Sequence, residues 1–421
     1  MQKLNGRPLL LLGFTLFSMF FGAGNLIFPP FLGAQAGTSL WLAFAGFAVS
    51  AIGLPIAGVI SVARADGLPE LAGRVHPAFA RIFAILLYLS IGPLLAIPRT
   101  ASTSFEMLLP LTGGGRGFQL VYSLVFFAGA FLVALRPEKL TSRLGRVLCP
   151  LLIGLILLLF AGCLLHPVAA GYGAPSGVYA AFPALQGVLD GYQTMDALAG
   201  LNFGAVLALN LQALGITDPK EIERGTIRAG GVAAGLLLLI YAMLAHIGGL
   251  AGKVWPGCAT GAEVLTTLSS TLFGRAGQVL LAAIFLVACF NTCVGLLSCI
   301  GQYFHQLLPG LPYPLLTAFF ALTSMCISNI GLAGLLTLSL PLLHALYPAA
   351  IALISLSFLP RNAQKPSVYR CCILPTALQS IAAALPLGVL STAANALPLA
   401  SLGFGWVVPA AVGLCIGMSS H

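Results

Sequence analysis

The sequence predicts an all-α polytopic membrane protein, and three observations carry that expectation. Of 421 residues, 59% are hydrophobic and only 7% are charged, against roughly 25% charged residues in a soluble domain. Apolar runs recur from end to end, each close to the roughly 20 residues a helix needs to cross about 30 Å of hydrocarbon. Two of these runs are interrupted near mid-span by glycines and polar residues, at 20–30 and 190–204.

Twelve transmembrane helices are predicted, at approximately 9–32, 40–62, 82–101, 119–135, 147–165, 184–214, 230–251, 277–302, 315–330, 335–359, 373–390 and 402–417. Strands of a membrane barrel would alternate over about ten residues. These runs are longer and continuously apolar, and a helix satisfies its own backbone in lipid. The first run has no small-residue cleavage site and is expected to be a retained helix. No long polar stretch intervenes, so residues 1–421 are expected to form one membrane domain. Of the two longest connections, 166–183 and 253–276, the second contains an amphipathic piece at 262–272, expected to lie across the outer mouth.

A net charge of +9 raises the question of nucleic acid, and the positions of the Lys and Arg residues answer it. With the N-terminus inside, fifteen of the 19 fall on the inner side: Lys3 and Arg7; Arg64, Arg74 and Arg81; Arg136, Lys139, Arg143 and Arg146; Lys220, Arg224 and Arg228; Arg361, Lys365 and Arg370. Only Arg99, Arg116, Lys253 and Arg275 fall outside. This is the bias of the positive-inside rule for an even number of spans with both termini in the cytoplasm. A nucleic-acid footprint needs a clustered patch, which these dispersed charges do not form.

The cysteines lie mostly within apolar runs and form no CxxC pair, so they read as small packing residues and not as a disulfide framework. Cys289 and Cys293 stand four apart, but no His or carboxylate is spaced with them for a metal. No cofactor is expected.

The two interrupted spans carry the functional argument. The first reads Phe20-Phe21-Gly22-Ala23-Gly24-Asn25, followed by Pro29-Pro30; the sixth reads Asp190-Gly191-Tyr192-Gln193-Thr194-Met195-Asp196. A broken helix frees backbone amides and carbonyls, which are costly in lipid unless buried in protein or bound to a solute or ion. Broken helices at matching places in two halves point to a transporter's midplane binding site. Helices 1–5 (9–165) and 6–10 (184–359) would then form a 5+5 inverted repeat, with helices 11 and 12 (373–417) outside it. The other reading is that Gly22 and Gly24 only let helices pack closely.

The segments GFTLFSMFFGAGNLIFPPFLGAQAG (13–37), IGPLLAIPRTASTSFE (91–106) and DGYQTMDALAGLNFG (190–204) together resemble the bacterial branched-chain amino acid:cation symporters, the system II carriers. The resemblance implies the leucine-transporter-type fold, related to the amino acid/polyamine/cation superfamily. It also implies import of leucine, isoleucine and valine across the bacterial inner membrane, coupled to sodium or, in some members, to protons. Expected partners are therefore a small-molecule substrate, sodium as coupling ion and membrane lipid, with no nucleic acid.

Carried over residue by residue, the resemblance implies that the amides of Gly22, Ala23 and Gly24 cradle the substrate carboxylate at the positive end of a half-helix. Carbonyls near Met19, Phe20 and Tyr192 would hold the ammonium, with the Thr194 hydroxyl beside them. Phe20, Tyr192 and Met195 would form apolar walls. Sodium would take the carbonyls of Ser18, Phe21 and Ala288 and the side chains of Asn291 and Thr292. The family pattern has two adjacent hydroxyl residues at these last positions; an amide oxygen also coordinates a hard cation.

Ionisable groups inside a membrane are functional by default. Asp196 is the leading one, either as a substrate-site residue or as the cap of the second half-helix. His246 and His344 read as structural hydrogen-bonding residues. Arg99 and Glu106, seven apart on one helix face, are expected at the outer vestibule. A membrane enzyme is the alternative from another class, but the chain carries neither HExxH nor DDxxD. A channel would need a repeated filter motif, and none is present.

Overall fold

The computed structural model describes residues 6–136, 141–385 and 388–419; Lys3, Lys139 and His421 lie outside the described residues. Every regular element among the described residues is helical. Six helices combine the length and apolarity to cross a membrane: Ala23–Arg64, Pro77–Glu106, Arg116–Ala134, Leu144–Leu165, Pro219–Val254 and Gly261–Leu307. Two bent pairs, Pro183–Tyr192 with Asp196–Ala213 and Pro366–Ala384 with Val389–Asn395, raise this to eight when each pair counts as one span. Arg7–Phe20, Tyr313–Ser328, Pro341–Ser357 and Val407–Ser419 are shorter apolar helices.

Local chemistry explains the irregularities. Gly37, at φ 49°, interrupts the path between Ala23–Ala36 and Leu40–Ala48. Pro77–Leu89 and Ala96–Glu106 meet through a widened turn at Ser90–Leu94, where Gly92 leaves helical geometry and Pro93 has no N–H to donate. The amphipathic stretch 262–272 is helical and breaks from the membrane helix at Gly274, φ 56°. Its start is fixed by a reciprocal cap, in which Glu263 N donates to Thr260 Oγ1 and Ala259 N donates to Glu263 Oε2.

The first and sixth predicted spans occupy the centre. Ala23–Ala36 packs on Pro219–Val254, while Pro183–Tyr192 and Asp196–Ala213 pack on Leu40–Ala48 and Leu54–Arg64. The first of these contacts needs a glycine: a Cβ on Gly33 would stand 2.0 Å from the Ala245 carbonyl oxygen. Leu12, Leu16, Phe17, Phe20 and Phe21 are buried in this core. Arg116–Ala134 lies at the periphery and turns Leu120, Val121, Leu124 and Val125 outward, an apolar face that only lipid or a partner would cover.

One end of the bundle is tied by polar contacts. Arg64 Nε donates to Glu223 Oε1 at 2.6 Å. Arg74 Nη1 donates to Gln364 Oε1 and Tyr369 Oη, both at 2.8 Å, and Arg370 Nε donates to the Val75 carbonyl at 2.8 Å. Three segments expected to share the cytoplasmic side thus meet there.

Candidate functional site

The first break follows from its sequence. Arg7–Phe20 ends where Phe21 turns to ψ 88°, and Gly22 is extended before Ala23–Ala36 begins. Asn25 holds the new start, accepting from Gly22 N through Oδ1 at 3.1 Å. Pro29 and Pro30 lack N–H groups, so the carbonyls of Asn25 and Leu26 lose their helical donors.

The second break separates Pro183–Tyr192 from Asp196–Ala213, with a bend of 48°. Met195 sits at its centre with φ 67°, a left-handed conformation uncommon outside glycine. Thr194 Oγ1 donates to the Gly191 carbonyl at 2.8 Å and accepts from Asp196 N at 3.3 Å.

A buried hydrogen-bond network joins the two breaks. Asn25 Nδ2 donates to Asp196 Oδ2 and to Tyr241 Oη, and Tyr241 Oη donates to Asp196 Oδ2 at 3.4 Å. Tyr241 belongs to Pro219–Val254, so three central helices share one polar node.

Arg99 completes the centre. It is buried; its Nη1 donates to the Gln193 carbonyl at 3.0 Å and its Nη2 to the Thr194 carbonyl at 3.3 Å. Seven residues of helix separate Arg99 and Glu106 by about 10 Å along the axis, which leaves Glu106 partly exposed at the end of Ala96–Glu106 while Arg99 reaches the break.

Between the breaks lies a cavity of about 20 Å³, room for roughly one water. Met19, Phe20, Gly22, Ala23, Gly24, Thr194, Met195 and Asp196 all line it, together with Asn25, Arg99 and Thr292. Tyr192 does not. Its ring packs against Tyr347, with centroids 4.9 Å apart, and faces a neighbouring cavity of about 230 Å³ with His344 and Trp406. His246 Nδ1 is 2.7 Å from Tyr172 Oη.

Two of the expected ion ligands meet. Ser18, Phe21, Ala288 and Asn291 are buried, and Asn291 Nδ2 donates to Ser18 Oγ at 2.7 Å. Asn291 Oδ1 and Thr292 Oγ1 are buried with no hydrogen-bond partner. Neutral oxygens left unpartnered in a dry interior fit a hard cation, which takes oxygen ligands. A Cβ on Gly22 would stand 2.6 Å from Thr292 Oγ1, so the first break lies directly against this residue.

Sequence reading missed Asn25 as a linker, although it stands in the interrupted motif. It also missed Tyr241, which carries no signal: a single tyrosine in an apolar run looks like any core aromatic.

Two larger cavities flank the centre. One of about 170 Å³ shares Gly24 and Arg99 with the central cavity and is otherwise mainly apolar, including Ile27, Phe28 and Phe31. The other, of about 400 Å³, is lined by residues that include Asp66, Glu70, Tyr88, Asn202 and Tyr303.

The fold is shared with solved transporters. The chain superposes on Mhp1, a nucleobase-cation-symport-1 family transporter in a closed conformation, with a TM-score of 0.64 at 12% identity, over 97% of this chain and 91% of that one. A Na+-coupled sialic acid symporter in a substrate-bound outward-open state matches with a TM-score of 0.60 at 16% identity, over 98% and 90% of the two chains. The fold is therefore of the leucine-transporter type, with two broken helices facing each other across a central cavity.

The chain belongs to the branched-chain amino acid transport protein family, whose model matches residues 5–421. It is 41% identical to the branched-chain amino acid permease BraB of Bacillus subtilis over 98% of this chain and 95% of that protein. It is 37% identical to the branched-chain amino acid transport system 2 carrier protein of Pseudomonas aeruginosa, over 99% and 97%. The permease BrnQ of Escherichia coli K12 is 36% identical over 98% and 95%. Membership in a family of transport proteins sets the membrane-enzyme alternative aside.

Proposed function

We propose that this protein is a secondary active symporter that imports leucine, isoleucine and valine with sodium by alternating access, in the bacterial inner membrane with both termini cytoplasmic. The observation that carries the reading is the central cavity, walled by both helix breaks and touching Thr292. The amides of Ala23 and Gly24 receive the substrate carboxylate beside Gly22, whose own N–H is held by Asn25, and Met19, Phe20 and Met195 supply apolar wall. The unpartnered oxygens of Asn291 and Thr292, close to the first break, support a sodium site completed by the carbonyls of Ser18, Phe21 and Ala288. A leucine is larger than the present cavity, so binding and release require the helices to part toward the flanking cavities in turn.

The packing pattern supports a 5+5 repeat. The first span packs on the seventh, and the sixth packs on the second; exchanging one repeat for the other leaves that pattern unchanged. The polar ties among Arg64, Arg74, Arg370 and their partners support a common cytoplasmic side for those segments.

The test is uptake of labelled leucine into proteoliposomes under a sodium, a lithium or a pH gradient alone. Accumulation that needs sodium supports the reading. Uptake indifferent to sodium and abolished by collapsing a pH gradient replaces it with proton coupling, for which buried Asp196, bonded to the neutral side chains of Asn25 and Tyr241, is the group to substitute. Absence of any leucine accumulation overturns the substrate assignment.

A further inference from the structure

We infer that Arg99 and Asp196 are the two poles of a zwitterion receptor, the guanidinium taking the substrate's carboxylate and the Asp196 carboxylate taking its α-ammonium. This rests on the transport reading above and adds Arg99 to the binding machinery.

The argument begins with charge. Arg99 is 5% exposed and Asp196 is 4% exposed, and both line the same cavity. The salt bridges among the described residues are Arg64–Glu223 and Arg224–Glu221; Arg99 and Asp196 attract each other electrostatically but form no such contact. Arg99 donates to two neutral carbonyls, and Asp196 accepts from Asn25 and Tyr241, both neutral. Burying a charge without an opposite charge in contact with it is costly. A free amino acid carries both missing partners on one carbon.

The positions suit that division. A Cβ on Gly24 would stand 2.9 Å from Arg99 Nη2, so the guanidinium lies over the backbone of the first break. A planar guanidinium fork matches a carboxylate with two parallel bonds. The hydrogen bonds from Asn25 and Tyr241 both fall on Oδ2, with Thr194 a further partner of the carboxylate. Arg99 also borders the apolar cavity of about 170 Å³, so the guanidinium faces that cavity as well as the central one.

The competing account is that Arg99 is only a strut for the sixth-helix carbonyls. It predicts that every ligand weakens together when Arg99 is replaced. The two accounts separate by thermal-shift titration of the purified full chain with leucine, leucinamide, which lacks the carboxylate, and 4-methylpentanoate, which lacks the ammonium. The proteins compared are wild type, Arg99→Lys, Arg99→Gln and Asp196→Asn.

Arg99→Gln is expected to weaken leucine by about tenfold or more while moving leucinamide by less than about threefold, collapsing the preference between them. Asp196→Asn should collapse the preference for leucine over 4-methylpentanoate and spare the preference over leucinamide. Arg99→Lys keeps the charge without the fork and should give a smaller collapse; it carries the test alone if Arg99→Gln does not fold. Unchanged preferences in the folded variants overturn the receptor. A wild type that leucine, isoleucine and valine all fail to stabilise overturns the transport reading itself, a distinct outcome.

Discussion

Asn291 Nδ2 donates to Ser18 Oγ at 2.7 Å, linking the eighth predicted span to the first one turn before its break. The bond holds the amide with its oxygen free of any protein donor, and Thr292 Oγ1 beside it is equally free. Thr292→Ala should therefore raise the sodium concentration for half-maximal leucine uptake by about tenfold, about 1.4 kcal/mol. Saturating sodium should restore uptake, because each ligand raises the other's affinity by the same factor. A variant with lower maximal rate and unshifted sodium dependence would show that Thr292 only supports the helix.

Gly24 and Gly33 share one helix but should fail differently. A side chain on Gly24 meets Arg99 and Thr194, whereas one on Gly33 meets the Ala245 carbonyl oxygen at 2.0 Å. Gly24→Val is expected to abolish leucine binding while the protein still inserts and elutes as a single species. Gly33→Ala should lower the melting temperature. Wild-type leucine affinity in Gly24→Val would reduce the first break to a packing feature.

Asn25 bonds three partners at once, the Gly22 amide, Asp196 and Tyr241. Replacing it with Ala leaves the Gly22 N–H without its acceptor and Asp196 with fewer donors. The expected loss is about 1–3 kcal/mol of stability, with a smaller loss for Tyr241→Phe. Thermal unfolding in detergent measures both, and equal melting temperatures for all three proteins would remove the network from the account.

Met195 holds a left-handed backbone at φ 67°. Met195→Gly should fold at least as well as wild type, whereas Met195→Val should lose about 1–2 kcal/mol or fail to assemble, since β-branched residues resist that region. Comparable melting of the two variants would mean the turn relaxes without cost.

Topology is checked by reporter fusion. With both termini cytoplasmic, as proposed from the charge bias, a reporter joined after His421 should be active only in the cytoplasm. A periplasmic signal would break the count of twelve spans.

Much of this molecule was legible from its residues because lipid imposes a simple rule: apolar stretches of sufficient length become helices. The same rule made the interruptions at Gly22–Asn25 and Tyr192–Asp196 visible, since polar and glycine residues have few other reasons to stand at mid-span. The position of Arg99 was not legible. Helical spacing sets it on a face with Glu106, but only packing decides that this face at Arg99 meets the sixth-helix break, helped by the widened turn at Ser90–Leu94. Tyr241 and the side of the helix to which Tyr192 turns were equally hidden. Such contacts join residues far apart in the chain, and their partners depend on the rotation and depth of each helix, which hydropathy does not encode. The sequence by itself determined the class and the breaks; the tertiary structure alone decided which side chains share a cavity.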